Sequence, residues 1–276
     1  MPITTVAAAL LLAAAVPAAD LKTADRIDLE GQPLATAPHT LGGAGDVTRI
    51  VKLEKPNLLL KRCPEKTTKG TVLVCPGGGY NILAIEHEGT AVADLLNQAG
   101  YDAAILEYTI ACPSAQTKAL ENALAAIKLV RTKGPELGLN TKKLGIMGFS
   151  AGGHLAARSI HELGAKDAPD FAILIYPAYL NSKDGLHPNI VPVAGTRTAT
   201  FILIAANDNL GWVAGSGAYA KACQTNGQPQ EFHLLPGGGH GFGLKPGVKP
   251  PASTWPDLLR KFLDTLNAPA RTGAQK

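Results

Sequence analysis

A serine flanked by glycines is the first feature of this sequence that could carry chemistry. Ser150 is the centre of Gly148-Phe-Ser-Ala-Gly152, and this spacing is typical of a nucleophilic serine on a sharp turn between a strand and a helix. Glycines two residues to either side leave room for the strained backbone of such a turn. The apolar pattern predicts a strand over residues 143–147 and a helix over residues 151–163, which is the context that the motif requires.

A serine hydroxyl needs a base to remove its proton, and the base needs an acid to orient it. His240 lies in a glycine-rich segment directly after a predicted strand, residues 231–235, so its imidazole can reach the end of the sheet. Six other histidines fit less well because they lie in a strand, on a helix or before the acid: His39, His87, His154, His161, His187 and His233. We therefore predict that His240 is the base and that His154 is a packed residue or a buttress of the site.

The acid has two candidates. Asp208 follows the predicted strand 200–205 and precedes His240 in the chain, at the carboxyl end of a strand, where sheets of this type place functional groups. Asp184, in the irregular segment after the preceding strand, is the alternative acid. Asp170 starts a strand and would lie at the opposite end of the sheet. Asp208 is the predicted acid.

A glycine triplet, Gly77 to Gly79, follows the predicted strand 71–75. Acyl transfer develops a negatively charged oxygen that needs preorganised hydrogen-bond donors. We predict that the triplet forms a cradle of backbone N–H donors and that the Ala151 N–H is a second source. Tyr80 and Trp212 are candidates for lining the pocket or stacking on a sugar, with ordinary packing as the alternative.

The elements that must position these residues follow a regular pattern. Apolar runs predict strands over residues 71–75, 101–108, 143–147, 171–176, 200–205 and 231–235, with one or two more within 47–60 near a sheet edge. Helical spacing occurs over residues 91–98, 115–132, 151–163, 216–225 and 255–266. Continuous apolar strands separated by helices predict an α/β fold with a mostly parallel sheet and helices on both faces.

The bulk properties exclude several function classes. The net charge of +4 is spread without a basic run, which argues against nucleic-acid binding. No side chains cluster with metal-ligand spacing, so we expect neither a metal nor an organic cofactor. The four cysteines could pair in an exported protein or remain free thiols, and their spacing does not decide between the two. The oligomeric state cannot be inferred.

The N-terminus predicts export. Residues 6–19 are almost entirely apolar, too short a run to span a membrane comfortably but suited to a secretory signal with a cleavage site near Ala18. A secretory signal usually has a Lys or Arg before the apolar run, and this sequence has none there. We therefore predict a signal peptide over residues 1–19, an irregular arm over 20–46, a catalytic domain over 47–276, and a secreted or periplasmic protein.

Three motifs in order resemble the acetyl esterase and acetylxylan esterase branch of the α/β-hydrolases. They are Pro76-Gly-Gly-Gly-Tyr80, Gly148-Phe-Ser-Ala-Gly-Gly-His154 and Gly238-Gly-His-Gly-Phe-Gly243, and the likeness runs from about residue 71 to residue 266. The resemblance implies removal of acetyl or other small acyl groups from a carbohydrate through an acyl-enzyme. It carries over Ser150, Asp208 and His240 as a triad, and Gly78, Gly79 and Ala151 as oxyanion donors.

The same resemblance leaves alternatives. The segment between residues 177 and 198 is short, which implies a small cap and an open site. A carboxylesterase, a lipase or a small peptidase could use the same fold, and a non-catalytic binding protein could use an inactivated one. The branch commonly has a second Asp and a Val-Pro around the acid, where this chain has Asn207 to Trp212.

Overall fold

A computed structural model describes residues 25–43, 47–65, 67–181 and 190–267. The predicted signal peptide over residues 1–19 lies outside these ranges and stays a prediction. The strands within them are β1 (Arg26–Asp28), β2 (His39–Gly43), β3 (Thr48–Leu53), β4 (Asn57–Lys61), β5 (Thr71–Cys75), β6 (Asp102–Glu107), β7 (Leu144–Phe149), β8 (Phe171–Ile175), β9 (Ala199–Ala205) and β10 (Gln230–Leu235).

The main sheet has eight strands in the order β1-β4-β6-β5-β7-β8-β9-β10. From β6 to β10 every neighbouring pair is parallel, whereas β4 pairs antiparallel with both β6 and β1. Strands β5, β6, β7 and β8 are buried at every residue, as expected of apolar strands covered on both faces. The sequence prediction of a mostly parallel sheet is therefore confirmed.

Four helices join successive parallel strands, and the fifth follows β10. They are α1 (Ala91–Gln98), α2 (Ala115–Lys133), α3 (Ala151–Asp167), α4 (Val213–Thr225) and α5 (Trp255–Thr265), with a π-helical turn over Glu86–Thr90 directly before α1. Each begins or ends within a few residues of its prediction. The helix α3 is interrupted at Gly164, with φ 65° and ψ −168°, where the sequence predicted its end, and a second short helical stretch follows to Asp167.

The N-terminal part differs from the predicted irregular arm over residues 20–46. It contains β1, which extends the main sheet, and β2, which forms a hairpin with β3. The strand β1 escaped prediction because it is short and two of its three residues, Arg26 and Asp28, are charged yet buried. The main sheet therefore begins before residue 47.

A buried ion cluster explains how charged residues can lie in this strand. Arg26 and His39 each approach a different carboxylate oxygen of Glu107 at 2.8 Å. Burial alone would raise the pKa of Glu107, but the hydrogen bond from His39 and the positive charge of Arg26 hold it below the usual value. The cluster fixes β1 and β2 to the end of β6.

Three further features bear on the predictions. Cys63, Cys75, Cys112 and Cys223 are free thiols, so the question of disulfides is settled against pairing. None of the helices in the described ranges combines the length and apolar character that crossing a membrane requires. The described residues between β8 and β9, 177–181 and 190–198, form no helix, and the middle of the predicted small cap lies outside the description.

Candidate active site

Ser150 occupies the sharp turn between β7 and α3. Its backbone has φ 51° and ψ −118°, a conformation that costs a non-glycine residue about 1–3 kcal/mol. A Cβ on Gly148 would lie 2.0 Å from the carbonyl oxygen of Gly152, and a Cβ on Gly152 would lie 2.0 Å from the carbonyl oxygen of Cys75. Both glycines of the motif are thus required because neighbouring backbone atoms leave no room for a side chain, as the sequence predicted.

Ser150, His240 and Asp208 form one chain of hydrogen bonds. Nε2 of His240 lies 2.7 Å from Oγ of Ser150, and Nδ1 lies 2.6 Å from Oδ2 of Asp208. The tautomer that satisfies both contacts has its proton on Nδ1, donated to Asp208, and leaves Nε2 to accept from the serine hydroxyl. The Asp208 carboxylate is fully buried, and its Oδ1 accepts the Leu210 N–H at 2.9 Å. The alternative acid, Asp184, lies outside the described residues.

The loops that carry acid and base are joined to each other. Oδ1 of Asn207 accepts the backbone N–H of Gly239 at 2.9 Å. Gly238, Gly239 and Gly241 all have positive φ, at 142°, 67° and 70°, a backbone region that other residues rarely adopt. Asn207 therefore helps to hold the loop that presents His240.

The glycine triplet lies against Ser150, but its three N–H groups are not equivalent. A Cβ on Gly77 would lie 3.0 Å from Cβ of Ser150, and the Gly77 N–H is already bound to Oε2 of Glu88 at 2.8 Å. The N–H groups of Gly78 and Gly79 donate to no group among the described residues, and both glycines line the same cleft as Ser150. Ala151 is the first residue of α3, where backbone N–H groups lack helical partners. The predicted donors therefore lie close together, and the N–H groups of Gly78 and Gly79 have no hydrogen-bond partner among the described residues.

Glu88 is a part of the site that the sequence did not reveal. It is buried in the π-helical turn, and its Oε1 accepts the Tyr176 hydroxyl proton at 2.8 Å. The Tyr176 oxygen in turn accepts the Gly243 N–H at 2.8 Å, and its ring lies 5.0 Å from the ring of His240. One carboxylate thus links the glycine triplet through Gly77 to the histidine loop.

Opposing effects act on the pKa of the Glu88 carboxylate. Burial raises the pKa of Glu88, whereas the hydrogen bonds from Tyr176 and Gly77 and the nearby His240 lower it, and the net shift is upward. Its only sequence signal is an acidic residue near the start of an apolar helix, which is ordinary for a helix N-terminus. The pairing with Tyr176 spans 88 positions and could not be inferred from local pattern.

Ser150 and His240 open into a cleft of about 490 Å³. Trp212 lines it, as predicted, and its ring packs at 4.9 Å on the ring of Tyr179, another lining residue.

Tyr80 is absent from the lining of this cleft and packs in the core, the alternative that the sequence left open for it. It is buried, and its hydroxyl bonds to Nδ1 of His154 at 2.7 Å. Burial lowers the pKa of His154 to about 3, so this histidine is neutral near neutral pH. The backbone of Tyr80 has a positive φ of 63°.

Comparisons with known proteins agree with this architecture. A family model described as the alpha/beta hydrolase fold matches residues 72–187. The chain is similar to an acetylxylan esterase of Xylanibacter ruminicola, with 28% identity over 205 residues that cover 66% of this chain and 42% of that protein. It is also similar to endo-1,4-beta-xylanase B of Butyrivibrio fibrisolvens, with 26% identity over 220 residues that cover 68% of this chain and 34% of that protein.

Among solved structures, the chain is similar to an acetyl ester-xyloside bifunctional hydrolase from Caldicellulosiruptor lactoaceticus. The TM-score is 0.66 at 27% sequence identity, covering 77% of this chain and 89% of the other. The chain spans less than half the length of each of the two curated relatives, 42% and 34%. Topology and comparisons together show that the chain has the α/β-hydrolase fold, and they confirm its resemblance to the acetyl esterase and acetylxylan esterase branch of that fold.

Proposed function

We propose that this protein is a serine esterase that removes short acyl groups, acetyl above all, from a carbohydrate through an acyl-enzyme. The observation that carries the proposal is the chain of hydrogen bonds from Ser150 through His240 to Asp208, with contacts of 2.7 and 2.6 Å. That chain opens into a cleft beside backbone N–H groups that have no protein partner among the described residues. Nucleophile, base, orienting acid and oxyanion donors are the parts that acyl transfer requires.

In the acylation step, the Ser150 oxygen attacks the ester carbonyl carbon while Nε2 of His240 takes the hydroxyl proton. The carbonyl oxygen becomes an oxyanion that accepts from the N–H groups of Gly78, Gly79 and Ala151, each donor of this kind being worth about 2.7–4 kcal/mol. Asp208 stabilises the imidazolium that forms on His240. The alcohol then leaves with the proton from Nε2, and the acyl group remains on Ser150.

Deacylation repeats these steps with water as the nucleophile. His240 takes a proton from water, which attacks the acyl carbonyl carbon, and the same N–H groups receive the oxyanion. The bond to Ser150 breaks as His240 returns the proton to its oxygen, releasing the carboxylic acid. Because the same imidazole acts in both half-reactions, Asp208 must hold its orientation in each of them.

Three observations support a small acyl group on a carbohydrate. The cleft is open, and the segment between β8 and β9, which would have to enclose a long lipid chain, is short. The Trp212 and Tyr179 rings on the cleft wall suit contact with the apolar face of a sugar. The similar proteins named above are, by their names, an acetylxylan esterase, a xylanase and an acetyl ester-xyloside hydrolase.

The test is acetate release from acetylated xylan, measured beside hydrolysis of acetyl, butyryl and octanoyl esters of one chromogenic alcohol. We expect acetate release and a rate that falls with chain length. Preference for the octanoyl ester would contradict a carbohydrate esterase and indicate a lipase. Cleavage of amides alone would indicate a peptidase, and no turnover of any substrate would indicate a binding protein.

A further inference from the structure

Two basic side chains line the cleft without an acidic partner. Arg49 comes from β3 and Lys245 from the loop that follows His240. Both are half-buried, and neither forms an ion pair with any acidic residue among the described ranges. Partly buried cations normally have a counter-charge, because burial penalises an isolated one. We call this pair the cationic wall.

The rest of the lining does not neutralise the cationic wall. Its one acidic member within the described residues is Glu88, a single carboxylate that is bound to Tyr176 and Gly77, feels the charge of Lys245 and cannot balance two cations. His87, also in the lining, lies within reach of both cations. Burial, then the charges of Lys245 and Arg49, lower its pKa to about 3, so it adds no charge of its own near neutral pH. The described part of the cleft lining therefore carries a net positive charge.

The position of Lys245 indicates which half of the ester faces this charge. Lys245 lines the cleft with His240 and also lines an adjoining groove of about 430 Å³ that includes His240 and Lys249. In the proposed reaction His240 gives its proton to the departing alcohol. The positive charge therefore lies beside the alcohol half of the substrate, where a sugar would bind.

We propose that the cationic wall binds a carboxylate carried by the alcohol half, so that the preferred substrate is an acylated sugar bearing a uronic acid group. This inference rests on the proposed esterase function and adds the charge of the substrate to it. Arg49 offers a planar fork that matches a carboxylate, and Lys245 offers a point charge. A neutral sugar would leave both unpaired.

The test compares two esters that differ in one group. The first is methyl glucopyranosiduronate carrying a single acetyl group, and the second is methyl glucopyranoside acetylated at the same hydroxyl. We expect the wild-type protein to favour the uronate in kcat/KM by about tenfold or more for each engaged cation, since charge-assisted hydrogen bonds are worth about 1.5–3 kcal/mol. The preference should shrink as sodium chloride is added.

Variants assign the preference to the wall. Arg49→Gln and Lys245→Gln should each lower the ratio of the two kcat/KM values about tenfold, mainly through KM. The double substitution Arg49→Glu and Lys245→Glu, which changes the wall from two positive charges to two negative ones, should reverse the ratio in favour of the neutral ester. The matched control is Lys52→Gln, because Lys52 lies on the same strand as Arg49 but its side chain is 69% exposed and outside the cleft; it should leave the ratio unchanged.

The possible results distinguish a failure of the cationic wall from a failure of the proposed esterase function. Equal rates on both esters, or a preference that survives the glutamate substitutions, would overturn the cationic wall and leave the esterase intact. Failure to hydrolyse either ester, or any acetyl ester, would overturn the proposed function and this inference with it.

Discussion

Replacing Asp208 with asparagine perturbs the candidate triad at its most buried member. The change keeps the shape of the side chain and removes its charge. Because Oδ1 of Asp208 accepts the Leu210 N–H at 2.9 Å, the amide oxygen of the variant should keep that place, which turns the NH₂ group toward His240. The contact to Nδ1 is 2.6 Å, too close for two donors to face each other.

The imidazole must then change tautomer. With Nδ1 accepting from the amide, the ring proton moves to Nε2, which lies 2.7 Å from the Ser150 oxygen and can no longer accept its proton. The same change in the Ser-His-Asp template lowers kcat by about 10⁴, equivalent to about 5.4 kcal/mol of transition-state stabilisation. Asp208 does not line the cleft, so KM should change little.

The assay is the steady-state hydrolysis of a chromogenic acetyl ester by the wild-type protein, Asp208→Asn and Asp184→Asn, with thermal unfolding recorded for each. We expect the large loss of kcat in Asp208→Asn alone. Asp184→Asn is the control because Asp184 is the alternative acid. A loss below tenfold in Asp208→Asn, or the large loss in Asp184→Asn, would refute the assignment.

Three further predictions follow from other parts of the structure. Gly78→Ala should lower kcat by about 10²–10³, because its Cβ would lie 2.1 Å from a backbone oxygen, whereas Gly217→Ala, with no atom within 4 Å, should be neutral in the same assay. Glu88→Ala should lower both kcat and the unfolding temperature, because it leaves the Tyr176 hydroxyl and a buried N–H without an acceptor. Glu88→Gln should restore much of both, and equal effects of the two substitutions would contradict this role. The pKa of Glu107 is depressed in the folded protein, so its stabilising contribution is complete above its ordinary pKa and is lost as pH falls through the depressed value. The free energy of unfolding should therefore fall more steeply in acid for the wild type than for Glu107→Gln, and parallel curves would contradict it.

The features that the sequence predicted are those with a local steric or periodic cause. Apolar runs of strand length fixed β5 to β9, because buried parallel strands need apolar side chains on both faces. The glycines around Ser150 were readable because close backbone contacts forbid any side chain there. His240 was readable because glycines on both sides allow the positive φ angles of its loop.

The features that escaped prediction depend on residues far apart in the chain. Glu88 is bonded to Tyr176, and the buried Arg26 is paired with Glu107. The residues of these two pairs are 88 and 81 positions apart in the sequence. Neither pair leaves a local pattern, since a lone charged residue usually marks a solvated surface. Tyr80 follows the glycine triplet, so its position in the sequence could not decide between the pocket and the core, where it lies.

The central claim is that Ser150 carries the acyl group during turnover. The direct measurement is the mass of the peptide containing Ser150 after the protein is mixed with an excess of an activated acetyl ester, quenched in acid within the first turnovers and digested. The account predicts one acetyl group on Ser150, and predicts that Ser150→Ala shows neither this adduct nor turnover while unfolding at the wild-type temperature. Continued ester hydrolysis by Ser150→Ala, or an acetyl group found on a different residue in the active wild-type protein, would contradict it.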